Sequence, residues 1–469
     1  MTINELAEIT KGKILNGDSK SPINRYHISP KDTAPKSFYL PIFNKEDRQA
    51  YILEEVNKGI LGYMLSSHYE KREETIKKSK QINPEIIIIE VENINKAMYE
   101  LGLAIRSKHI GIPIVAVTGS VGKSTVTNMI AQILSTEKNI LADQKNNNNN
   151  TCPLLAWMMT NIENKEMAVL EAGIASKGVM EQISELVKPS ICVIHNIGKA
   201  HLAGLENQET VRNEKMKLTK FMQNEKIVFL NADDPYLAKV ELPSDYQLKR
   251  YSRQEAKNIN IKEECIQYTI PIYGEETKIT LHTYGKYQII NSIAAIRVAE
   301  MYRIQKENIV QGLANFQPIK RRFVVKTSKI GATLIDDTYN ANPNSMKAGL
   351  QTANEMKSKR KIAVLGDMLE LGETSDILHE EIGEFFSQIQ FDELYTYGEK
   401  AKIIAQKASL YLPKNQVIMA DSKEELIQQL QKETKEGDLI YVKASGKMKF
   451  SDIIKALSIE ENKKEEIKK

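Results

Sequence analysis

The sequence Ile114-Val-Ala-Val-Thr-Gly-Ser-Val-Gly-Lys-Ser-Thr125 decides how the surrounding chain folds. Its first residues, 114–117, are apolar and rich in β-branched side chains, as in a buried strand, and apolar residues recur at helical spacing over 126–133. Between the strand and the helix lie Gly119 and Gly122, which let backbone N–H groups converge on an anion. The stretch therefore predicts a phosphate-binding loop.

The loop also carries the side chains that a nucleotide triphosphate requires. Lys123 offers a positive charge to the phosphates, and Ser124 offers a hydroxyl that can bind Mg²⁺. The common P-loop has four residues between its glycines and this loop has two, so an ordinary structural turn stays open as an alternative. The strand, the turn, the lysine and the helix each occur where a phosphate-binding loop requires them, which favours nucleotide binding. The predicted nucleotide-binding residues of this loop are Thr118, Gly119, Ser120, Gly122, Lys123, Ser124 and Thr125.

Composition limits the class of protein. The 469 residues suffice for about three domains of ~100–200 residues each. Charged residues make up 27% of the chain and the net charge is +4, so nothing indicates a nucleic acid or a membrane as partner. Three widely spaced cysteines form neither a disulfide framework nor a metal-binding pattern, the first residues lack an apolar signal core, and no apolar run reaches ~20 residues. We expect a cytoplasmic protein without membrane insertion or nucleic acid, and we take it to be a monomer.

Alternating strand and helix patterns predict an α/β fold in three domains. Residues 1–110 are expected to form a small α/β domain, residues 111–317 a central P-loop ATPase domain with a parallel sheet, and residues 318–469 a Rossmann-like domain. Glycine and proline residues indicate the boundary between the first and second domains, and Gln317-Pro318 indicates the boundary between the second and third. His27 stands alone among polar residues of the first domain, so it is expected to be satisfied or exposed and not a ligand.

Polar residues follow two predicted strands of the central domain. The strand at 167–170 delivers Glu171, and the strand at 191–195 is followed by Asn196-Ile-Gly-Lys-Ala-His201. Ligands of open α/β sheets bind at the carboxyl ends of strands, so Glu171 and His201 are placed to hold metal beside the phosphates. Together with the loop they predict a magnesium–triphosphate site. The polar segment 146–150 is equally compatible with a plain loop and with a ligand contact.

Several motifs together resemble the Mur ligase family. In the central domain these are the loop 118–125, Glu171-Ala-Gly173, and 196–201 followed by Glu209 and Lys215. In the last domain the strings 334–346 and 364–373 are longer and ordered as in that family, and the resemblance covers about 110–457 well but the first hundred residues poorly. It implies an ATP-dependent amide ligase of peptidoglycan precursor synthesis, which activates an acceptor carboxylate as an acyl phosphate. The amine would be an amino acid or D-alanyl-D-alanine.

The resemblance also implies residue roles, with ATP and Mg²⁺ as cofactors and a UDP-linked or other peptide as the acceptor, bound by the N-terminal domain. Asn291 would meet the adenine, Arg322 the phosphates and Asp337 the ribose, with Asn340 beside the nucleotide. The catalytic residues would be Lys123, Glu171, His201 and Lys215. The magnesium ligands would be Ser124, Glu171, His201 and Lys215, the lysine as its carbamate. Because Asp337 and the phosphate loop belong to different domains, a complete site requires the third domain to close onto the second.

Some of these residues also have plainer explanations. Lys215 could be an exposed helix lysine, and Asp336 and Asp337 could be a solvated strand end. The turn after them could simply initiate a helix, with Asn344 or Ser345 as N-cap. Other classes stay open as well: a P-loop kinase, an enzyme like folylpolyglutamate synthetase, or a catalytically silent nucleotide-binding scaffold. Retention of the predicted metal ligands argues against the silent scaffold.

Four segments depart from the family pattern, and all four fall on substrate surfaces. Where the family has Asp-Ser-Arg, this chain has Ser29-Pro-Lys31, and where the family has Asp-Gly-His, it has Asp47-Arg-Gln49. At the position of a glycine in the family pattern, this chain has Thr151. A late Lys-Gly-Ser-Arg appears as Lys443-Ala-Ser-Gly446. A lysine meets phosphate as a point charge, without the bidentate geometry of arginine. The acceptor is therefore either a UDP-linked muramoyl tripeptide or a different peptide conjugate.

Overall fold

The computed structural model describes residues 1–43, 47–142, 151–262 and 264–459. The polar segment 146–150 and the charged end 460–469 lie outside the described residues. Strands and helices alternate along the chain, and the strands form four sheets. The predicted α/β fold is confirmed, and each sheet falls inside one of the three predicted domain ranges, whose limits stay a prediction.

The first unit is a five-stranded sheet flanked by helices. Its helix α1 begins with a capping box, in which the Thr2 hydroxyl accepts from Glu5 N–H and the Glu5 carboxylate accepts from Thr2 N–H. The sheet order is β1-β5-β4-β3-β2, with only the β1–β5 pair antiparallel. The elements are α1 (Ile3–Thr10), β1 (Lys13–Asn16), β2 (Tyr26–His27), β3 (Phe38–Tyr39), α2 (Ile52–Asn57), β4 (Gly62–Ser66), α3 (Arg72–Ile82), β5 (Ile87–Val91) and α4 (Ile94–Lys108).

His27 is buried and satisfied in this unit, as the sequence predicted. Its Nε2 lies 2.7 Å from Glu55 Oε2, and its Nδ1 lies 2.9 Å from Ser37 Oγ. The ring also stacks on Tyr39. Because both ring nitrogens are engaged inside the protein, His27 serves the core of this unit.

The central unit contains a six-stranded, fully parallel sheet of order β11-β10-β9-β6-β8-β7. Parallel sheets are covered on both faces, so their strands are apolar throughout, and Ile114–Thr118 is buried at every position. The elements are β6 (Ile114–Thr118), α5 (Lys123–Leu134), β7 (Ile140–Ala142), α6 (Cys152–Met159), β8 (Met167–Glu171), α7 (Val179–Val187), β9 (Ile191–Ile194), α8 (Leu202–Leu205), α9 (Gln208–Met216), β10 (Ile227–Asn231) and β11 (Gln247–Tyr251).

A second, antiparallel sheet lies in the central range and was not predicted. Its order is β12-β13-β14, and β13 alternates buried and more exposed residues, as expected for a sheet with one face in the core. Apolar residues of this sheet share one core with β6, β8 and the helices α5, α10 and α11. The elements are β12 (Lys257–Ile261), β13 (Ile266–Ile272), β14 (Glu275–Leu281), α10 (Tyr287–Met301) and α11 (Lys306–Ala314).

The third unit is a six-stranded sheet of order β15-β16-β20-β17-β18-β19, parallel except for the edge strand β15. The predicted N-cap at Asn344 or Ser345 is wrong: Asn342 caps α12, because its side chain accepts from Ser345 N–H while Pro343 takes the first helical position. The elements are β15 (Val324–Thr327), β16 (Thr333–Asp336), α12 (Pro343–Glu355), β17 (Arg360–Gly366), α13 (Ser375–Phe385), β18 (Glu393–Tyr397), α14 (Ala401–Ala408), β19 (Val417–Met419), α15 (Lys423–Glu433), β20 (Asp438–Lys443) and α16 (Ser451–Leu457).

None of the helices in the described ranges combines the length and the apolar character that a bilayer crossing requires.

Helix α4 joins the first unit to the central one through Arg106. This side chain is fully buried and donates to the carbonyls of Val187 (2.8 Å), Lys188 (3.1 Å), His109 (2.6 Å) and Ile112 (3.0 Å). Burial lowers the pKa of the guanidinium to about 10, so it stays charged at neutral pH. Four backbone carbonyls accept from this one side chain, and one of them, His109 O, also accepts from Ile112 N–H at 3.1 Å.

Arg106→Ala should therefore lower the free energy of unfolding by about 3 kcal/mol, because buried carbonyls lose a charged donor. Urea denaturation of parent and variant measures this change. Lys108→Ala, at an exposed position two residues along the same helix, is the control and should stay within about 0.5 kcal/mol of the parent. A loss below about 1 kcal/mol for Arg106→Ala would contradict the assignment of this contact.

Candidate active site

The phosphate loop opens into a cavity between the central and third domains. The cavity holds about 1290 Å³, its open mouth included. The central domain contributes the loop, the residues after β9 and the start of α10, while the third domain contributes residues after β16 and β17. Predicted site residues in its wall are Ser120, Gly122, Lys123, Ser124, Thr125, His201, Asn291, Arg322, Asp337 and Asn340.

The loop has the geometry of an anion site at a helix start. Gly122 adopts φ +82°, and a Cβ there would lie 3.0 Å from Asn291 Oδ1, so a glycine is needed for both reasons. Helix α5 begins at Lys123 without a side-chain cap. The N–H groups of the first helical turn have no partner within a helix, so they can donate to a phosphate.

Asn196 holds the loop in this shape, a role that the sequence analysis missed. Its Oδ1 accepts from the N–H groups of Ser120 and Val121, both at 2.8 Å, and its Nδ2 donates to Val121 O at 2.8 Å. Ser120 Oγ additionally accepts from Gly198 N at 2.8 Å. Two amides that could have met phosphate are thus bound within the protein, and the short turn is closed by a side chain. The available signal was the position of Asn196 directly after a predicted strand.

Ser124 and Glu171 contact each other at the start of α5. Ser124 Oγ donates to Glu171 Oε2 at 2.5 Å and accepts from Arg322 Nη2 at 3.0 Å. Arg322 comes from the third domain, and its guanidinium lies 4.0 Å from the centre of the Tyr339 ring. Its Nε is buried and has no hydrogen-bond partner among the described residues, which leaves a donor for a phosphate oxygen.

Positive charge exceeds negative charge around the loop. Lys123, Lys215 and Arg322 surround Glu171. Burial lowers the pKa of Lys123, and the nearby Glu171 opposes that effect. Burial also lowers the pKa of Lys215 well below its usual value, with Lys123 adding to the effect. Lys123 and Arg322 are partly buried, and their positive charges favour a bound anion such as a triphosphate.

Lys215 is buried on α9, so its explanation as an exposed helix lysine is wrong. The side chain is 2% exposed, and Nζ donates to Gly119 O at 2.9 Å. It therefore lies directly behind the phosphate loop. The uncharged amine is the form that reacts with carbon dioxide, and burial of Lys215 shifts it toward that form.

His201 lies in the same cavity on the central-domain side. Its Nδ1 is 2.8 Å from Glu370 Oε2 of the third domain. Within the described ranges no cluster of three or more His, Cys, Asp or Glu side chains could hold a metal by itself. Mg²⁺ usually keeps water and binds few protein ligands beside substrate phosphates, so the Ser124–Glu171 pair fits it.

The wall predicted to meet the base is built by α10. Asn291 is buried and donates from Nδ2 to Gln288 Oε1 at 2.8 Å. His195 lies against this wall, where burial lowers its pKa to about 4, and its Nδ1 is 2.8 Å from the Tyr251 hydroxyl. The ring is therefore neutral at neutral pH, so this part of the cavity adds no charge near the predicted adenine position.

Asp337 is buried, so its explanation as a solvated strand end is wrong, and so is that of Asp336. Asp337 Oδ2 accepts from Lys443 Nζ at 2.7 Å and from the Tyr441 hydroxyl at 2.9 Å. Burial raises its pKa, and Lys443 opposes that effect. Both contacts use one oxygen, which leaves Oδ1 for a ribose hydroxyl. Asp336 instead accepts from Thr338, in the turn that leads to Asn340.

These features are typical of a phosphate-loop ATP enzyme, and residues of the third domain line the same cavity as the loop. The profile of the Mur ligase middle domain matches residues 117–299, and that of the Mur ligase glutamate ligase domain matches residues 321–446. The chain belongs to the Mur ligase family, whose members are ATP-dependent ligases that form amide bonds. The prediction of an ATP-dependent ligase forming a C–N bond is thereby confirmed.

Known relatives match along nearly the whole chain. The UDP-N-acetylmuramoyl-tripeptide–D-alanyl-D-alanine ligase of Bacillus subtilis (strain 168) is 28% identical over 462 residues, 97% of this chain and 98% of the relative. The crystal structure of MurF from Acinetobacter baumannii superimposes with TM-score 0.81 at 22% identity, covering 97% and 98%. MurF from Thermotoga maritima, solved in complex with ADP, gives TM-score 0.74 at 22% identity, covering 92% and 96%. The two structures establish the three-domain fold.

Asn196→Ala should weaken ADP binding about 10- to 100-fold, because two partly buried loop amides lose their acceptor. Isothermal titration calorimetry gives the dissociation constant, and thermal unfolding reports any loss of fold. Asn196→Asp keeps the acceptor but loses the donor to Val121 O and adds negative charge, so it should bind ADP no better than the alanine variant. The exposed Asn161→Ala is the control. Affinity within twofold of the parent in both Asn196 variants would contradict the role.

Lys215 should carry a carbamate that supplies anionic oxygens to Mg²⁺. Carbon-13 NMR after incubation with labelled bicarbonate should give a carbamate resonance that Lys215→Ala lacks. The variant should lose about 100-fold in activity and regain part of it with added short carboxylates. Lys217→Ala, two residues further and on the surface, is the matched control. Undiminished activity of Lys215→Ala without bicarbonate would remove the carbamate hypothesis.

Proposed function

We propose that this chain joins D-alanyl-D-alanine to a UDP-N-acetylmuramoyl tripeptide at the expense of ATP, releasing ADP and phosphate. The observation that carries the proposal is the contact of Ser124 with both Glu171 and Arg322, because it brings the phosphate loop and the third domain to one point. The name of the Bacillus subtilis relative, which spans nearly the whole chain, supports the substrates.

In this reaction the acceptor carboxylate takes the γ-phosphoryl group of ATP, and the amine then attacks the acyl phosphate and expels phosphate. The chain's residues contribute position and charge. Lys123 and the first amides of α5 hold the phosphates, and Arg322 neutralises charge from the third-domain side. Asn291 orients the base and Asp337 the ribose. Ser124 and Glu171, with His201 and carbamylated Lys215, would hold Mg²⁺, which would supply positive charge to the phosphates.

The N-terminal unit departs from the family pattern at Lys31, where the acceptor diphosphate is expected. Lys31 stands exposed on the turn in which Asp32 N–H donates to Ser29 O, at the place where the family pattern has an arginine. A lysine there can meet a diphosphate through a single charge. A second candidate function therefore follows from this departure: ligation to a peptide conjugate other than a UDP-muramoyl tripeptide.

We place the chain in the cytoplasm, because the reaction draws on ATP and on nucleotide-linked precursors. We also take it to be a monomer.

The test measures ADP release from the purified chain with UDP-muramoyl tripeptide, other nucleotide-linked peptides and free peptides, each with D-alanyl-D-alanine or single amino acids. We expect saturable turnover with the muramoyl tripeptide and D-alanyl-D-alanine. Lys123→Ala should reduce it about 100- to 1000-fold, since one electrostatic contact to the reacting phosphates is worth about 3–4 kcal/mol. Circular dichroism shows whether that variant is folded.

Three results separate the candidates. Turnover only with acceptors that lack UDP would replace the muramoyl assignment by the second candidate. Turnover at micromolar UDP-muramoyl tripeptide would show that Lys31 suffices where the family has an arginine. Unchanged turnover in folded Lys123→Ala would contradict the phosphate site itself.

A further inference from the structure

One loop of the central domain contacts both the phosphate loop and the third domain. We call residues 196–203 the bridging loop. Its first half holds the phosphate loop through Asn196 and Gly198. Its second half contacts the third domain, because Lys199 N–H donates to Asn344 Oδ1 at 3.1 Å and Lys199 Nζ lies 2.8 Å from Glu381 Oε1. The bridging loop is therefore the structural link between nucleotide binding and domain docking.

His201 makes the most specific contact of this loop. It adopts φ +57°, in the left-handed region that is uncommon for histidine, and is mostly buried. Its Nδ1 lies 2.8 Å from Glu370 Oε2, and Ala203 N–H donates to Glu370 O at 3.1 Å. One residue of the third domain thus contacts both the ring of His201 and the backbone two positions later.

Glu370 is held in place by the interior of its own domain. The preceding Met368 N–H donates to His379 Nε2 at 3.0 Å, and His379 Nδ1 in turn donates to Ser375 O at 2.7 Å. Leu369 N–H donates to Ser445 Oγ at 2.8 Å. The segment that carries Glu370 is fixed before it meets the central domain, as a positioning group requires.

We infer that Glu370 is a positioning residue for His201, supplied by the third domain. A carboxylate can only accept, so it places the ring proton on Nδ1 and leaves Nε2 as the free electron-pair donor in the cavity. A carboxylate behind a histidine also raises the basicity of the opposite nitrogen. The His201 ring then keeps its proton on Nδ1 and its Nε2 free only while the third domain is docked. The inference rests on the proposed function for the task of His201, but its geometry does not depend on the acceptor.

The first test reads the ring itself, in the full chain and without substrates. Nitrogen-15 NMR of histidine-labelled protein, with His201→Gln to assign the signal, reports which ring nitrogen carries the proton. We expect Nδ1 in the parent and in Glu370→Gln, whose amide oxygen can still accept. Glu370→Ala should give a mixture of both tautomers. A parent proton on Nε2, or a signal unchanged in Glu370→Ala, would overturn the inference.

The second test separates positioning from docking. Glu370→Ala should lower kcat about 10- to 100-fold, the usual effect of removing such a partner, and Glu370→Gln should lose less. Glu381→Ala is the matched control, because it removes the Lys199 contact across the same interface without touching His201. We expect Glu381→Ala to leave the His201 signal unchanged. An equal loss of kcat in Glu381→Ala would assign the effect to docking alone and overturn the inference.

The double variant completes the test. If Glu370 acts through His201, then His201→Ala with Glu370→Ala should be no slower than His201→Ala alone. Additive losses would mean that Glu370 acts elsewhere and would overturn the inference. Failure of the parent to use the muramoyl acceptor would count against the proposed function only, since the NMR measurement needs no acceptor.

Discussion

The hydrogen bonds of the Asn196 side chain to the phosphate loop are the contact on which the site depends. The loop has two residues fewer between its glycines than the common P-loop, and Asn196 closes the turn with three bonds of 2.8 Å. Because Ser120 and Val121 donate to this side chain, the amides left for an anion are those at the start of α5. The anion site is thereby concentrated next to Lys123 and Ser124.

Charge explains why the two domains belong to one site. The loop region of the central domain holds Lys123 and the buried Lys215 near Glu171. The third domain adds the guanidinium of Arg322 at the Ser124 hydroxyl. Lys123 and Arg322 carry like charges and repel each other, so a triphosphate that neutralises both should favour the docked arrangement.

The sequence could predict what local patterns determine. Strand β8 ends at Glu171 and β9 ends at Ile194, two residues before Asn196, because hydrophobic runs and glycines fix those elements locally. The sequence could not predict side-chain contacts between residues that are far apart along the chain. The bond of Asp337 to Lys443 joins residues 106 positions apart, and that of His201 to Glu370 joins residues 169 apart. The antiparallel sheet β12–β14 was missed for a different reason: β13 and β14 pair locally as a hairpin that turns at Tyr273-Gly274, and this local signal was overlooked.

The altered string at 443–446 makes contacts within the third domain. Lys443 pairs with Asp337, and Ser445 Oγ accepts from Leu369 N–H. A Cβ at Gly446 would lie 2.6 Å from Tyr339 O, so this backbone leaves no room for the arginine of the family pattern. The segment therefore fixes the turn after Asp337 and the segment that carries Glu370.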